Sequence, residues 1–261
     1  MRVSVLTENI SMLEGIVPEH GLSLYIETDN HNILFDFGQT DTMFCNAEKL
    51  GVDLSDIDIA VLSHGHYDHG GGITRFLSIN DKAKVYVNKN AFGDYRHGDR
   101  YIGLNQELRQ NNRIVFVEED YTIDESISIC LLPKLINPIN NSGLTYYENG
   151  VEYPETFIHE QYLLIKENDK NTLFSGCSHK GIINIIDYFR PDVFVGGFHF
   201  MNTDLLNSND KKLLITAANA LLSYTCQYYT CHCTGYEQYQ FLYEKMQDKL
   251  HYLSCGCSKE L

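Results

Sequence analysis

His64-Gly65-His66-Tyr67-Asp68-His69, followed at once by Gly70-Gly71-Gly72, decides how the rest of the chain is read. Three imidazoles and a carboxylate fall within six residues, directly after the apolar run 57–62. A buried strand that ends in four groups of metal-ligand type and then runs into glycines costs stability if it serves structure alone. Neutral imidazole nitrogen and carboxylate oxygen are the donors that suit zinc, iron and manganese. A polar loop that merely happens to be rich in histidine does not account for their density and order.

Composition narrows the partners. The chain has 261 residues, 43% hydrophobic content and 18 tyrosines, enough for a sizeable core in one domain over 1–261. Formal charge is −15. There is no lysine- or arginine-rich run, which argues against nucleic acid and anionic membrane and for a small-molecule substrate. The N-terminus lacks a long apolar segment, and no window approaches the roughly 18 apolar residues of a membrane span. The chain therefore reads as cytoplasmic. Its eight cysteines, with the close pairs Cys231/Cys233 and Cys255/Cys257, then read as free thiols. The pairs are C-x-C, not the C-x2–4-C spacing of zinc fingers.

Working outward from the motif, strands are expected at 2–7, 22–27, 32–36, 57–62 and 83–87, with helices at 41–50, closed by Gly51, and 73–79. The stretch 92–112 reads as a surface excursion. A second set of strands follows at 113–117, 127–132, 162–166 and 172–174. The Asn-, Gly-, Tyr- and Pro-rich stretch 133–154 reads as a loop or lid, extending to about 157. Beyond it, helices at 181–189, 208–221 and 236–247 alternate with strands at 192–196, 225–230 and 250–254. Such a mixture predicts an α/β layered domain with two sheets and helices outside them.

More metal ligands are expected just beyond other strands, and three places qualify. They are Gly176-Cys177-Ser178-His179, Gly196-Gly197-Phe198-His199 and Thr230-Cys231-His232-Cys233. Each is a strand ending in a histidine beside small residues, which is how a sheet edge delivers ligands into one cleft. His179 and His232 read as ligands. His199 reads as a ligand or as a group at the substrate.

The pattern His-x-His-x-Asp-His at a strand end resembles the metallo-β-lactamase superfamily. The sets Glu8-Asn9, Glu19-His20-Gly21-Leu22-Ser23, Leu34-Phe35-Asp36-Phe37-Gly38-Gln39, Gly176-Cys177-Ser178-His179, Gly196-Gly197-Phe198-His199 and His232-Cys233-Thr234-Gly235 resemble one branch of it. That branch holds the 7,8-dihydropterin-6-methyl-4-(β-D-ribofuranosyl)-aminobenzene-5′-phosphate synthases and related metal-dependent hydrolases. The resemblance implies a four-layer αββα sandwich with metals at one edge of the sheets. It also implies two divalent ions, zinc first, with manganese or iron also suited. His64, His66 and His179 would hold one ion, and Asp68, His69 and His232 the other. Two ions roughly 3.5–4 Å apart can clamp the attacking and leaving oxygens of a displacement. Asp68 would also steer the nucleophile, with His199 the second catalytic candidate. Asp36 would bond a ligand histidine and fix its tautomer. Histidine at position 66 sets the chain apart from the flavodiiron branch, which generally has glutamate there.

One departure matters. Many members carry Gly-Asp, whose carboxylate bridges the metals, where this chain has Gly176-Cys177. Either Cys177 is a thiolate ligand, or His179 takes over coordination, or the second metal is weakly held. His179 is favoured because neutral imidazole needs no deprotonation, leaving Cys177 as a small buried hydrophobe. The resemblance implies an enzyme acting on a phosphorylated, pterin-like heterocycle by condensation or hydrolysis. The alternatives are a general hydrolase of phosphodiester, lactone or thioester bonds, and a metal-dependent binding or sensor protein. Segment 135–157 suits a lid that excludes water, or a contact between copies in a homo-oligomer.

Overall fold

The computed structural model describes residues 1–133 and 143–261. Two seven-stranded sheets form its centre. The first runs Ser258–Glu260, Arg2–Thr7, Ser23–Glu27, Asn32–Phe35, Ile59–Val61, Lys84–Asn88, Ile114–Val117. Its pairs are antiparallel up to Asn32–Phe35 and parallel beyond. The second runs Leu250–Tyr252, Gln227–Thr230, Val193–Gly196, Lys170–Ser175, Gln161–Glu167, Ile127–Leu131, Tyr121–Thr122, and is parallel at the Leu250–Tyr252 end.

The period-2 alternation of strand side chains separates three cores. Ile33, Phe35, Ile59 and Val61 point inward to meet Ile129, Leu163, Phe174 and Val195 of the other sheet. Their neighbours Leu34, Ala60 and Leu62 point outward, against Met43 and Phe44 of helix Thr42–Leu50 and Phe76 of helix Ile73–Ile79. On the far side, Leu173, Phe194 and Tyr228 meet helices Ile182–Phe189, Ser208–Leu222 and Tyr236–Met246 through Ile185, Ile186, Leu214, Leu221 and Leu242. Helix, sheet, sheet, helix is the expected four-layer αββα sandwich. Gly51 closes the first helix in the left-handed conformation, as expected.

Two readings of the sequence change. The stretch 92–112 is not only a surface excursion: it supplies strands Asp94–His97 and Arg100–Tyr101, and buries Tyr95, Ile102 and Leu104. They join Leu144–Glu148 and Val151–Pro154 in a four-stranded sheet. The expected loop over 133–154 is thus in part a hairpin, while 134–142 lie outside the described residues. The hairpin turns at Asn149-Gly150, both at positive φ (52° and 80°). Asn-Gly is the preferred pair for a two-residue turn that matches strand twist. Among the described residues, no helix is long and apolar enough to cross a membrane.

Candidate metal centre

Parallel strands share a direction, so their carboxyl ends lie along one edge, where ligands gather. Asn32–Phe35 ends at Asp36, and Ile59–Val61 leads through Ser63 to His64. In the second sheet, Lys170–Ser175 leads to Cys177 and His179, Val193–Gly196 to His199, and Gln227–Thr230 to His232. The two edges meet closely. Gly176 has no room for a side chain, because a Cβ there would run into the Ser63 hydroxyl and the His64 ring. Asp36, Ser178, His199 and His232 all have positive φ, a conformation that non-glycine residues hold mainly where surrounding contacts impose it.

Hydrogen bonds to one nitrogen of a ring decide where its other nitrogen's lone pair points. Asp36 accepts from the Ser63 backbone N–H at 2.7 Å and from its hydroxyl at 2.7 Å. The same carboxylate holds His69 Nδ1 at 2.6 Å, the role expected of it. Ser63 Oγ, having given its proton to Asp36, accepts from His64 Nδ1 at 2.8 Å. Asn9 Oδ1 accepts from His232 Nδ1 at 2.8 Å, and Glu155 takes His66 Nε2 at 3.2 Å. These bonds leave Nε2 of His64, His69 and His232, and Nδ1 of His66, as the donor atoms for a cation. His64 Nε2 is buried with no hydrogen-bond partner among the described residues.

Two triads result. Donor atoms of His64, His66 and His179 lie within 4.8 Å of one another, as do those of Asp68, His69 and His232. In the second, His69 Nε2 and His232 Nε2 are 3.2 Å apart, and Asp68 Oδ2 is 3.7 and 3.6 Å from them. Ligands at about 2.0–2.1 Å from a tetrahedral zinc stand roughly 3.3–3.4 Å apart. The donor set and its spacing therefore fit a divalent ion. His64, His66, Asp68, His69, His179 and His232 are thus brought together, and all six are buried.

Electrostatics agree with that use. Burial, reinforced by neighbouring rings, pushes His64 and His179 well below the ordinary histidine range. Burial and His69 do the same to His232, so these rings are neutral. His69 differs: burial opposes its charge, but Asp36 and Asp68 outweigh burial and carry it up to about 9. Burial likewise opposes ionisation of Asp68, yet His69, His20 and His232 hold it well below the usual carboxylate range.

Cys177 is buried, as expected, but it is more than a hydrophobe. Its Sγ lies 3.2 Å from His69 Nε2, within a group with His64 and His69 and within another with His199 and Cys233. A cavity of about 670 Å³ opens over the centre, with His66, Asp68, His179, His199 and His232 in its wall.

Several supporting roles escaped the sequence reading, although Glu8 stood in the set Glu8-Asn9. Glu8 accepts from the backbone of His232 at 3.1 Å and from Tyr252 Oη at 2.9 Å, fixing the His232 loop. Glu160 accepts from the backbone of His179 at 2.7 Å and of Lys180 at 3.0 Å. His159 Nδ1 accepts from Gly65 N–H at 2.8 Å, and its Nε2 bonds Glu155. The signal was present in His159-Glu160-Gln161, just before an apolar strand. Because Gln161–Glu167 pairs antiparallel with Lys170–Ser175, its beginning lies at the edge where the latter ends.

Comparisons with known proteins agree with this geometry. The sequence profile described as "Metallo-beta-lactamase superfamily" matches residues 16–127. The "Uncharacterized protein MJ0448" of Methanocaldococcus jannaschii is 30% identical over 209 residues, 76% of this chain and 79% of that one. The same organism's 7,8-dihydropterin-6-methyl-4-(beta-D-ribofuranosyl)-aminobenzene-5'-phosphate synthase is 23% identical, over 91% of this chain and 88% of its own. Among solved structures, Tm1679, described as a metal-dependent hydrolase of the beta-lactamase superfamily, matches with a TM-score of 0.84 and 28% identity. That match covers 100% of this chain and 99% of the other.

Proposed function

Because this chain belongs to the metallo-beta-lactamase superfamily, we propose that it is a metal-dependent enzyme acting on a phosphorylated, pterin-like heterocycle by condensation or hydrolysis. The observation that carries the proposal is the pair of facing triads, His64/His66/His179 and Asp68/His69/His232, beneath one cavity. They would hold two divalent ions, zinc first, with manganese or iron also suited to the donors. Such ions supply Lewis acidity, polarising a phosphoryl or carbonyl oxygen and easing the ionisation of water near neutral pH.

The chain's own residues do the rest. Asp68, kept ionised by its neighbours, orients the attacking group from the cavity floor. His199, its ring 4.3 Å from that of His179, is the second group at the substrate. Ile182, Ile183, Phe200, Leu213 and Ala217 give the cavity an apolar wall suited to a flat heterocycle. Arg100 is the one Arg or Lys among the described lining residues, and its guanidinium stacks 4.6 Å over the Tyr67 ring. It is placed to meet a substrate phosphate in a chain of formal charge −15. The partner is thus a small molecule rather than a nucleic acid.

The likeness to the synthase supports condensation, with an arylamine attacking a pterin methylene carbon as diphosphate leaves. The likeness to Tm1679 favours a second reading, hydrolysis of a phosphodiester, lactone or thioester. Incubating the zinc-loaded protein with a dihydropterin diphosphate plus an arylamine, and separately with bis-p-nitrophenyl phosphate, decides between them. Condensed product is expected from the first mixture; turnover of only the second sinks the condensation reading.

A further inference from the structure

We propose that Cys177, His199 and Cys233 form a third cation site, thiolate-rich and abutting the imidazole–carboxylate centre, that takes a zinc-like divalent ion. Their donor atoms lie within 4.8 Å of one another. They arrive from three separate strand ends, those of Lys170–Ser175, Val193–Gly196 and Gln227–Thr230. In a tetrahedral zinc site the sulfur–sulfur edge is roughly 3.8 Å, given Zn–S bonds of about 2.3 Å. All three residues line the cavity, so the fourth position would face a substrate.

Buried cysteines are usually plain packing, and this chain supplies its own comparison. Cys226, Cys231 and Cys255 are buried too, yet none joins a ligand group among the described residues. Cys231 packs into the core between the sheets, while Cys233, two residues on, turns to the cavity. Three further features mark the trio. A Cβ at Gly197 would strike Cys233 Sγ, so glycine there makes room for the sulfur. His199 holds a φ of 60° to bring its ring to the site. Its Nδ1 is buried with no hydrogen-bond partner among the described residues.

Two sulfurs and one imidazole are a softer set than the neighbouring triads and select zinc-like ions over magnesium or calcium. On coordination each thiol would release its proton to solvent. His199 then meets the substrate as part of a cation site and not as a free imidazole.

The test uses the full chain, stripped with a chelator under reducing conditions and reloaded with zinc or cobalt(II). Elemental analysis gives ions per chain, and near-ultraviolet absorption reports thiolate-to-cobalt charge transfer. The wild type should show the thiolate band, and Cys233→Ser should lose it together with one ion. His199→Gln should also release one ion, and thermal unfolding of both variants checks that they fold. By contrast His232→Ala should lose an ion and keep the band. Absence of a thiolate band in the saturated wild type overturns the site, as does a band and stoichiometry unchanged by Cys233→Ser. No substrate is needed, so failure here is separate from failure of the function proposed above.

Discussion

His69 and His232 stand 163 positions apart in sequence, yet their Nε2 atoms face each other at 3.2 Å. Both rings are buried, and the opposite nitrogen of each is held by an acceptor, Asp36 or Asn9. Two lone pairs aimed at one point repel unless a proton or a cation lies between them. With Asp68 completing the triangle, a divalent ion relieves that repulsion. His232→Ala should therefore bind one ion fewer per chain than the wild type while the His64/His66/His179 position stays filled. Elemental analysis after dialysis measures this, and an unchanged metal content would remove His232 from the ligand set.

Asp36 touches no cation position but controls two rings, His69 directly and His64 through Ser63. Removing a carboxylate that orients a ligand histidine typically costs 10–100-fold in metal affinity, about the drop expected for Asp36→Ala. The same change leaves the buried Ser63 N–H unpaired, a penalty of about 1–3 kcal/mol. Competition with a chromogenic chelator gives the first quantity and urea unfolding the second. Stability lost with metal affinity intact would show Asp36 to be a structural strut only.

The raised His69 sets the pH behaviour. Its folded value, about 9, exceeds the ordinary histidine value of about 6.5. The metal-free protein therefore gains stability from the charged ring that is fully present below about pH 6.5 and lost as pH rises through about 9. Coordination needs that proton to leave, so metal affinity moves the other way and strengthens over the same interval. Melting of the stripped protein should fall from pH 6.5 to 9 while apparent zinc affinity climbs. Affinity flat across that window would mean His69 is neutral before metal arrives.

How much of this was legible in the sequence follows from where each signal lies. His64–His69 is local, and its ligand spacing needs no fold to be seen. His179, His199 and His232 were found because they follow apolar runs, and a parallel sheet places such ends together. Glu8-Asn9 stood out only within the resemblance and Glu160 only beside His159, because their roles are contacts across the fold that no local pattern states. Cys177 and Cys233 looked like packing because a buried thiol and a ligand thiol have the same sequence context. The Asn149-Gly150 hairpin is legible locally, since that pair is a turn signal without any tertiary information.

Glu155, just past that hairpin, carries the last prediction. Its carboxylate bonds both His66 Nε2 and His159 Nε2. Burial opposes its ionisation, but His159 and His66 outweigh burial and hold it at about 2. A carboxylate depressed in the folded state contributes stability above its unfolded value, about 4.3, and loses it as pH falls toward about 2. Glu155→Gln keeps the shape and removes the charge. It should flatten that acid limb of the stability curve and lower zinc affinity about 10–100-fold, because the His66 ring is no longer pinned. Equilibrium unfolding between pH 2 and pH 5, with chelator competition at pH 7, reads both effects. If the variant keeps the wild-type acid limb, Glu155 is not the charge that the His66–His159 pair depends on.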